Sequence, residues 1–396
     1  MDIIRANKQS RHLVPVKDAS PSLVSNGYDE AIQFNLSSDF VVNAEQDGEV
    51  IDVDEKTGFI VVRYADGKHH AINTKPEIVK NSGSAFFISN ALTMTVQLGD
   101  KFKKDQVLAY HGRYFKYSKT NGLRYAIGPL VKVAFMSSYN TYEDAGVCTK
   151  KLADRIRTSI VYREDAPLTK TCNVISIANI GDKVNVGDSL LRYEESYDDS
   201  LIAIYASNLL DEDRRQSFTE DTRNNITAEN AGTVIDIQVI SLHDPSNLTP
   251  TLGKIVQKFF DRGNEKADFL NKYDSEGKTL KAGYLLTDST QPLVSKYRTI
   301  DYHKNIDVLI KFFVEHEDVA GIGDKIAMYS ANKQIISQII PEGYEPYGEH
   351  RPDEEISCLQ SPGTLARRMT SSVLPISMSM KIMIELKRKI KEIIRY

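Results

Sequence analysis

Short runs of alternating apolar and polar residues, closed by glycine-containing turns, fill most of the first 300 residues of this chain. The run EVIDVDEKTGFIVVRYADG, residues 49–67, contains two such turns. A two-residue period places successive side chains on opposite faces of a strand, and glycine permits the tight turn that follows. The chain is therefore predicted to be mainly β, with 396 residues for two or three modules.

Two sequence patterns recur along the chain. Residues 43–53 (NAEQDGEVIDV) and 227–237 (TAENAGTVIDI) each place a glycine before a Val-Ile-Asp strand. Gly-Asp-Lys occurs at residues 99–101, 181–183 and 323–325. The first two copies are interpreted as hairpin turns, because glycine accepts a positive φ and Asp binds the local backbone. The third copy is predicted to differ, because the polar stretch MYSANKQ follows it in place of a strand.

Two segments have apolar residues at helical spacing. They predict helices over residues 252–272 and 376–395. The second helix is basic on its other face, and residues 361–396 contain eight Lys plus Arg against two Glu. The basic face of this helix is interpreted equally well as a solvated surface or as a surface that contacts phosphate.

Composition excludes several classes of protein. No apolar run approaches 18 residues, so no membrane span is predicted, and the N-terminus lacks the apolar region of a secretory signal. The net charge of −4 argues against a uniformly basic nucleic-acid binder, although phosphate contact needs only a local patch. Three widely spaced cysteines favour neither a disulfide framework nor a zinc site, and fit a reducing cytoplasm.

Common catalytic motifs are missing from the sequence. GIGDKI, residues 321–326, has no third glycine for a dinucleotide loop, and there is no GxxxxGK[ST] or HExxH. The remaining candidates are charged residues: Arg11, Glu143, Asp144, Lys325, Lys333, Arg367 and Arg368. Taken singly, such residues are usually surface charges. Adjacent carboxylates such as Glu143 and Asp144 favour a shared cation when buried, and a solvated loop is equally open.

Four segments carry a family resemblance. GDKIAMYSANKQ, residues 323–334, resembles the GDK-x-A-x-R-H-G-N-K-G segment in the β subunit of multisubunit RNA polymerases. VAFMSSYNTYEDA (133–145) is similar to VAFMPWNGYNFEDA of that family, and SPGTLARRM (361–369) to its NPLGVPSRM. RANKQSRHLVP (5–15) resembles GANMQRQAVP, with one extra residue before Arg11. The motifs occur in the family order.

The resemblance implies a fold and a division into parts. The expected architecture is a double-psi β-barrel with a flap-like, sandwich-barrel insertion and a C-terminal helix. Residues 1–35 would form an N-terminal arm, 36–149 the first part of the barrel, and 150–302 the insertion. Residues 303–396 would complete the barrel with the RNA 3′-end and NTP-binding segment and the basic helix.

The resemblance also implies roles in nucleotidyl transfer, in which an RNA 3′ hydroxyl attacks an α-phosphate. Lys325 and Lys333 would face phosphates at the RNA 3′ end, and positioned cations suit that task. Arg11 and Arg368 would contact the incoming triphosphate, with Arg367 as a competitor for the role of Arg368. Glu143 and Asp144 would lie near the second Mg²⁺, which the NTP carries. The main Mg²⁺ would be held by a β′-like partner.

Departures from the family pattern bear on activity and on partners. Met328, Tyr329, Ser330, Ala331 and Gln334 stand where the family has Gly, Arg, His, Gly and Gly, so loop freedom and one cation are lost. The NADFDGD metal motif of the β′ partner is absent, so the chain is expected to be inactive alone.

The early position of the first motif resembles the split β subunits of giant-bacteriophage polymerases. The expected partners are a β N-terminal half, β′-like subunits and a promoter-specificity subunit, together with template DNA, RNA and NTPs, in the host bacterial cytoplasm or packaged in the virion.

Two other interpretations stay open. A noncatalytic assembly or nucleic-acid-clamping subunit would keep the barrel and tolerate changes at Lys333. A biotinyl or lipoyl-like carrier would need a modifiable lysine at a hairpin tip, yet the one Met-x-Met-Lys, residues 378–381, falls in a helical pattern.

Overall fold

The computed structural model describes residues 14–25, 27–75, 77–80, 87–118, 122–126, 128–195, 223–274, 306–328, 332–349, 351–363 and 373–394. These residues are mainly β, as predicted. The helices are α1 (Tyr28–Ala31), α2 (Lys150–Arg155), α3 (Pro250–Asp274) and α4 (Val373–Ile394), with 3-10 turns at Ile32–Phe34 and Pro245–Asn247. Both predicted long helices are confirmed as α3 and α4. None of the helices in the described part of the chain is long and apolar enough to cross a membrane.

The strands in the first half are β1 (Val41–Asn43), β2 (Gly48–Asp54), β3 (Phe59–Tyr64), β4 (His69–Asn73), β5 (Glu77–Lys80), β6 (Phe87–Asn90), β7 (Leu92–Met94), β8 (Lys101–Phe102), β9 (Val107–His111), β10 (Phe115–Ser118), β11 (Gly122–Tyr125), β12 (Val133–Phe135), β13 (Ala145–Thr149), β14 (Thr158–Leu168), β15 (Cys172–Ile177), β16 (Lys183–Val184) and β17 (Ser189–Glu195). Those in the second half are β18 (Arg223–Thr227), β19 (Gly232–Ser241), β20 (Val308–Asp318), β21 (Lys325–Met328), β22 (Asn332–Ile340), β23 (Tyr347–Gly348), β24 (Arg351–Glu355) and β25 (Cys358–Gln360).

The Gly-Asp turns share one hydrogen-bonded geometry. In the copy at residues 323–325, Gly323 N donates to Ile336 O at 2.8 Å, and Ile336 N donates to Asp324 O at 2.9 Å. Gly99–Asp100 makes the same two bonds with Val50, and Gly181–Asp182 makes them with Val234. Each glycine has a positive φ, 84°, 97° and 98° in chain order. The expectation that the third copy would lack a following strand is therefore wrong, because β21 and β22 form a strand pair there.

The largest core lies between long antiparallel strands and α3. Strand β20 pairs along its whole length with β14 and, on its other side, with β19. Leu252 and Val256 of α3 pack into this core, together with the fully buried Phe312 of β20. The far end of α3 packs Leu270 against Phe59 in the core of the β3–β4 hairpin. A single long helix thus joins two hydrophobic cores.

A mixed five-stranded sheet in the order β12-β25-β13-β22-β21 positions the residues discussed below. β13 runs parallel to β22, with Ala145 opposite Ile335, and antiparallel to β25. β12 runs parallel to β25. Helix α2, capped by the Thr149 hydroxyl accepting from Leu152 N, covers this sheet through Leu152 and Ala153. The structure confirms the β-rich class and the C-terminal helix; the double-psi topology and the four-part division stay predictions.

Candidate active site

Lys325 and Lys333 lie on the same face of the β21–β22 hairpin. The register pairs Lys325 with Ile335 and Ala327 with Lys333. Directly paired residues share a face, and so do residues two apart on one strand, so the two lysines are diagonal neighbours. Such neighbours have Cα atoms roughly 7–8 Å apart. The eight-residue spacing seen in the sequence thus brings two ammonium groups to one surface.

The other face of β22 is buried, and this burial orients the lysines. Gln334 is 1% exposed and Ile336 is 0% exposed, whereas Lys325 is exposed and Lys333 half-buried. Ile336 packs in the core with Cys148 and Cys358, and Ile326 borders it. A one-residue slip would put charged side chains into that core, so the alternation fixes the register.

The acidic pair lies at the end of the neighbouring strand. Glu143 and Asp144 immediately precede β13, and Ile335 N donates to Asp144 O at 2.9 Å. Because β13 and β22 are parallel with Ala145 opposite Ile335, the two acids lie at the level of Lys333 and Gln334. The structure therefore brings four of the predicted site residues to one end of one sheet.

Both carboxylates are exposed. Adjacent carboxylates in water carry little of the desolvation cost that burial would impose, so their pairing alone does not require a cation.

The loop before the acids is held in shape by its own hydrogen bonds. Thr141 is 2% exposed, and its hydroxyl donates to Met136 O at 2.9 Å while accepting from Ser138 N at 2.7 Å. Asn140 Nδ2 donates to Gln338 Oε1 on β22 at 2.6 Å. Glu143 takes a left-handed φ of 51°. This loop is anchored to the same strand that carries Lys333, so the acids and that lysine share one support.

Two tyrosines on this loop were not singled out from the sequence as site residues. Tyr139 is 99% exposed and Tyr142 is 75% exposed, on either side of the buried Thr141. Aromatic rings this exposed on an internally bonded loop offer flat surfaces for stacking or for a protein contact. The signal available in the sequence was the tyrosine-rich composition of residues 139–142.

The acidic pair supplies part of the donor set that a divalent metal needs. In the part of the chain that the structure describes, no cluster of three or more His, Cys, Asp or Glu side chains is arranged to hold an ion. Glu143 and Asp144 offer carboxylate oxygens, the donors that Mg²⁺ prefers, but Mg²⁺ takes six ligands. They fit an ion whose remaining ligands come from nucleotide phosphates, water or another chain.

Arg11, Arg367 and Arg368 lie outside the described residues. Their assignment to the incoming triphosphate therefore stays a prediction.

The fold and the site define a class of β-rich proteins in which parallel strand pairing brings a lysine pair and an acidic pair into one sheet. The two pairs are some 180 residues apart in the sequence. The sequence model of the RNA polymerase Rpb2, domain 6 family matches residues 107–374, and the chain belongs to that family. The matched region includes the acidic pair and both lysines.

The chain is also similar to curated relatives. It is 26% identical over 280 residues to the DNA-directed RNA polymerase subunit beta of Mesomycoplasma hyopneumoniae strain 7448, and equally to those of strains J and 232. Each alignment covers 64% of this chain and 22% of the relative, so the chain matches about a fifth of the relatives' length.

Proposed function

We propose that this chain is a subunit of a DNA-directed RNA polymerase and contributes the β21–β22 hairpin and the Glu143–Asp144 loop to the nucleotidyl-transfer centre. One observation carries this proposal. The parallel register of Ala145 with Ile335 brings the acidic pair to the level of Lys333 on the neighbouring strand, and Lys325 lies on the next strand of the same sheet, inside the region that matches the family. A set of charges from distant parts of the chain at one strand end is what phosphoryl transfer uses.

The chemistry assigns a role to each charge. The RNA 3′ oxygen forms a bond to the α-phosphorus of the NTP, the bond to pyrophosphate breaks, and the hydroxyl proton is lost. Lys325 and Lys333 would neutralise phosphate oxygens at the RNA end, since an ammonium group on a flexible stem acts as a point charge. Glu143 and Asp144 would hold the NTP-borne Mg²⁺, which when bound stabilises charge on the phosphate oxygens. Arg11 and Arg368 would contact the triphosphate.

The sheet topology supports the finer part of the fold proposal. β12 pairs parallel with β25, and β13 pairs parallel with β22. Two neighbouring strands of the first half of the chain thus each pair with a strand from near its C-terminal end. Interleaved parallel pairs of this kind are consistent with the crossed connections of a double-psi β-barrel. We propose that these strands belong to such a barrel.

We further propose partners and a setting. A β N-terminal half and β′-like subunits, one of which holds the main Mg²⁺, would complete the enzyme, and a promoter-specificity subunit would direct it. The enzyme would act on template DNA in the cytoplasm of a bacterial host, or it would be packaged in the virion.

A noncatalytic assembly subunit is the second candidate. Gln334 fills the interior below the lysines where the resembling family has glycine, a change that an inactive barrel would tolerate. The two candidates differ in what the lysines do. A structural subunit would lose nothing when an exposed lysine is truncated.

Reconstitution tests the proposed function. The chain is combined with the companion polymerase subunits from its own genome, and extension of an RNA primer on a DNA template is measured. The proposal expects extension that depends on both this chain and Mg²⁺. Full extension by a complex assembled without this chain would contradict it.

A further inference from the structure

Helix α4 carries a continuous apolar surface that the described part of the chain leaves uncovered. Met378, Ile382, Leu386, Ile390 and Ile393 recur at intervals of three or four residues, which places them along one side of the helix. Their exposed fractions are 66%, 59%, 49%, 53% and 73%. We call these five residues the α4 stripe. At 1.5 Å per residue it runs for roughly 22 Å.

Two residues of α4 that contact the rest of the chain lie outside the stripe. Met380 is buried, and Glu385 Oε2 accepts from Arg351 Nη2 of β24 at 2.8 Å. At 100° per residue, Met380 and Glu385 both lie outside the arc that holds the α4 stripe. Met380 lies opposite the stripe and Glu385 borders it, so these two contacts hold the helix without covering the stripe. Exposed contiguous apolar surface of this kind marks an interaction site.

The positive charge of α4 indicates which kind of partner can bind the α4 stripe. The segment 386–394 contains Lys387, Arg388, Lys389 and Lys391 against Glu392. A second copy of the helix would bring the same positive excess, so self-pairing along the stripe is opposed by repulsion. An anionic membrane would meet the segment 341–358, which holds six carboxylates and one arginine and is joined to the middle of α4 through Arg351. The surface is complementary to an apolar groove whose border is acidic.

We propose that the α4 stripe is the docking surface for an apolar, acid-bordered groove on a companion subunit of the polymerase. The family match ends at residue 374, so the stripe lies beyond the matched region. The inference rests on the proposed function, since it takes the occupant to be another chain of the same enzyme. Helix-in-groove recognition uses apolar anchors spaced three or four residues apart, the spacing that this stripe offers.

The test compares two variants in the complete enzyme. L386D combined with I390D places carboxylates in the stripe, where they meet both apolar walls and acidic borders. K381D, the matched control, makes its charge change on the same helix but outside the stripe. All three positions are exposed, so the fold is retained, which circular dichroism verifies.

Two measurements use the reconstituted companion subunits as the probe. Hydrogen exchange of residues 378–394 is followed in the lone chain and in the complex, and the dissociation constant of the complex is measured. We expect protection of this segment in the complex, and at least about tenfold weaker assembly for L386D/I390D against little change for K381D. Unprotected α4 with unchanged assembly overturns the inference.

The other occupants have their own readouts. Light scattering of the lone chain would reveal a dimer lost in L386D/I390D, and sedimentation with phosphatidylglycerol vesicles would reveal lipid binding. Either result overturns the inference. If the complex extends RNA while α4 stays unprotected, docking fails and the proposed function stands. If no complex extends RNA under any condition, the proposed function fails and the inference falls with it.

Discussion

The side-chain amide of Gln334 lies directly against Gly146, across the parallel pairing of β22 and β13. A Cβ on residue 146 would come well inside van der Waals distance of Gln334 Oε1. Both amide atoms of Gln334 are buried and have no hydrogen-bond partner among the described residues. The contact joins the strand that carries Lys333 to the strand that follows Glu143 and Asp144.

Gly146→Ala is expected to lower the free energy of unfolding by about 1–3 kcal/mol, because the added methyl overpacks this contact. Gln334→Ala in the same chain should restore part of that loss, since it removes the atoms that clash. Chemical denaturation of the four members of the double-mutant cycle measures the coupling. Gly263→Ala is the matched control: it lies inside α3 with open space around its Cβ and should not destabilise. Strictly additive effects of the two changes would contradict the contact.

Lys325→Ala and Lys333→Ala should each slow RNA extension by the reconstituted polymerase about tenfold or more, since each removes a positive charge from the reacting phosphates. The chain supplies its own controls. Lys101 and Lys183 follow the same Gly-Asp turn and are exposed like Lys325, but they lie in other sheets. Their alanine variants should extend RNA normally. Equal effects at all four lysines would show a general charge effect instead of a site.

Acidification should destabilise the chain through His111. This side chain is 2% exposed, and burial followed by the nearby Arg113 charge lowers its pKa from 6.5 to about 4. Between those values the unfolded chain binds a proton that the folded chain does not, so stability falls as pH drops from about 6.5 toward 4. At roughly 1.4 kcal/mol per pKa unit, the loss is on the order of 3 kcal/mol.

Denaturation of the wild type and His111→Gln between pH 4 and 7.5 measures this loss. The variant has no titrating ring, so its stability should vary less with pH over that interval, although it starts lower. Parallel pH profiles for the two proteins would rule out His111 as the cause.

The three cysteines should resist thiol reagents in the folded chain. All three are free and buried. Burial raises the pKa of Cys148 to about 11 and that of Cys358 to about 12, and it also raises the pKa of Cys172. The reactive thiolate is therefore scarce near neutral pH. Labelling with a chromogenic disulfide at pH 8 should be at least about a hundredfold slower than in guanidinium, where three thiols react. Rapid labelling of the folded chain would contradict the packing at β13 and β25.

Local patterns in the sequence were sufficient to predict the main secondary-structure elements. Alternation and glycine turns predicted a β-rich chain, and helical spacing located α3 and α4, because these features depend on neighbouring residues. At residues 99 and 181 the positive φ of glycine and the local backbone bonds of Asp were predicted correctly. Neither turn is a hairpin, however, because β7 pairs with β9 while β8 pairs with β2, and β15 pairs with β17 while β16 pairs with β19. At residue 323 the polar composition of residues 328–334 concealed the β21–β22 hairpin, because β22 buries the polar Gln334 and leaves Ile335 43% exposed, so the strand shows no clean alternation.

The sequence by itself determined which charges this protein has and which elements carry them. Only the tertiary structure decided that Glu143 and Asp144 lie beside Lys333, because the pairing of Ala145 with Ile335 joins segments that no local pattern connects. The same holds for α4. Its spacing required one apolar side, but whether that side was covered depended on contacts elsewhere, and Met380 and Glu385 anchor the helix with the stripe exposed. Periodicity fixes where a side chain points relative to its own element, whereas the surroundings of that face are set by the packing of the whole chain.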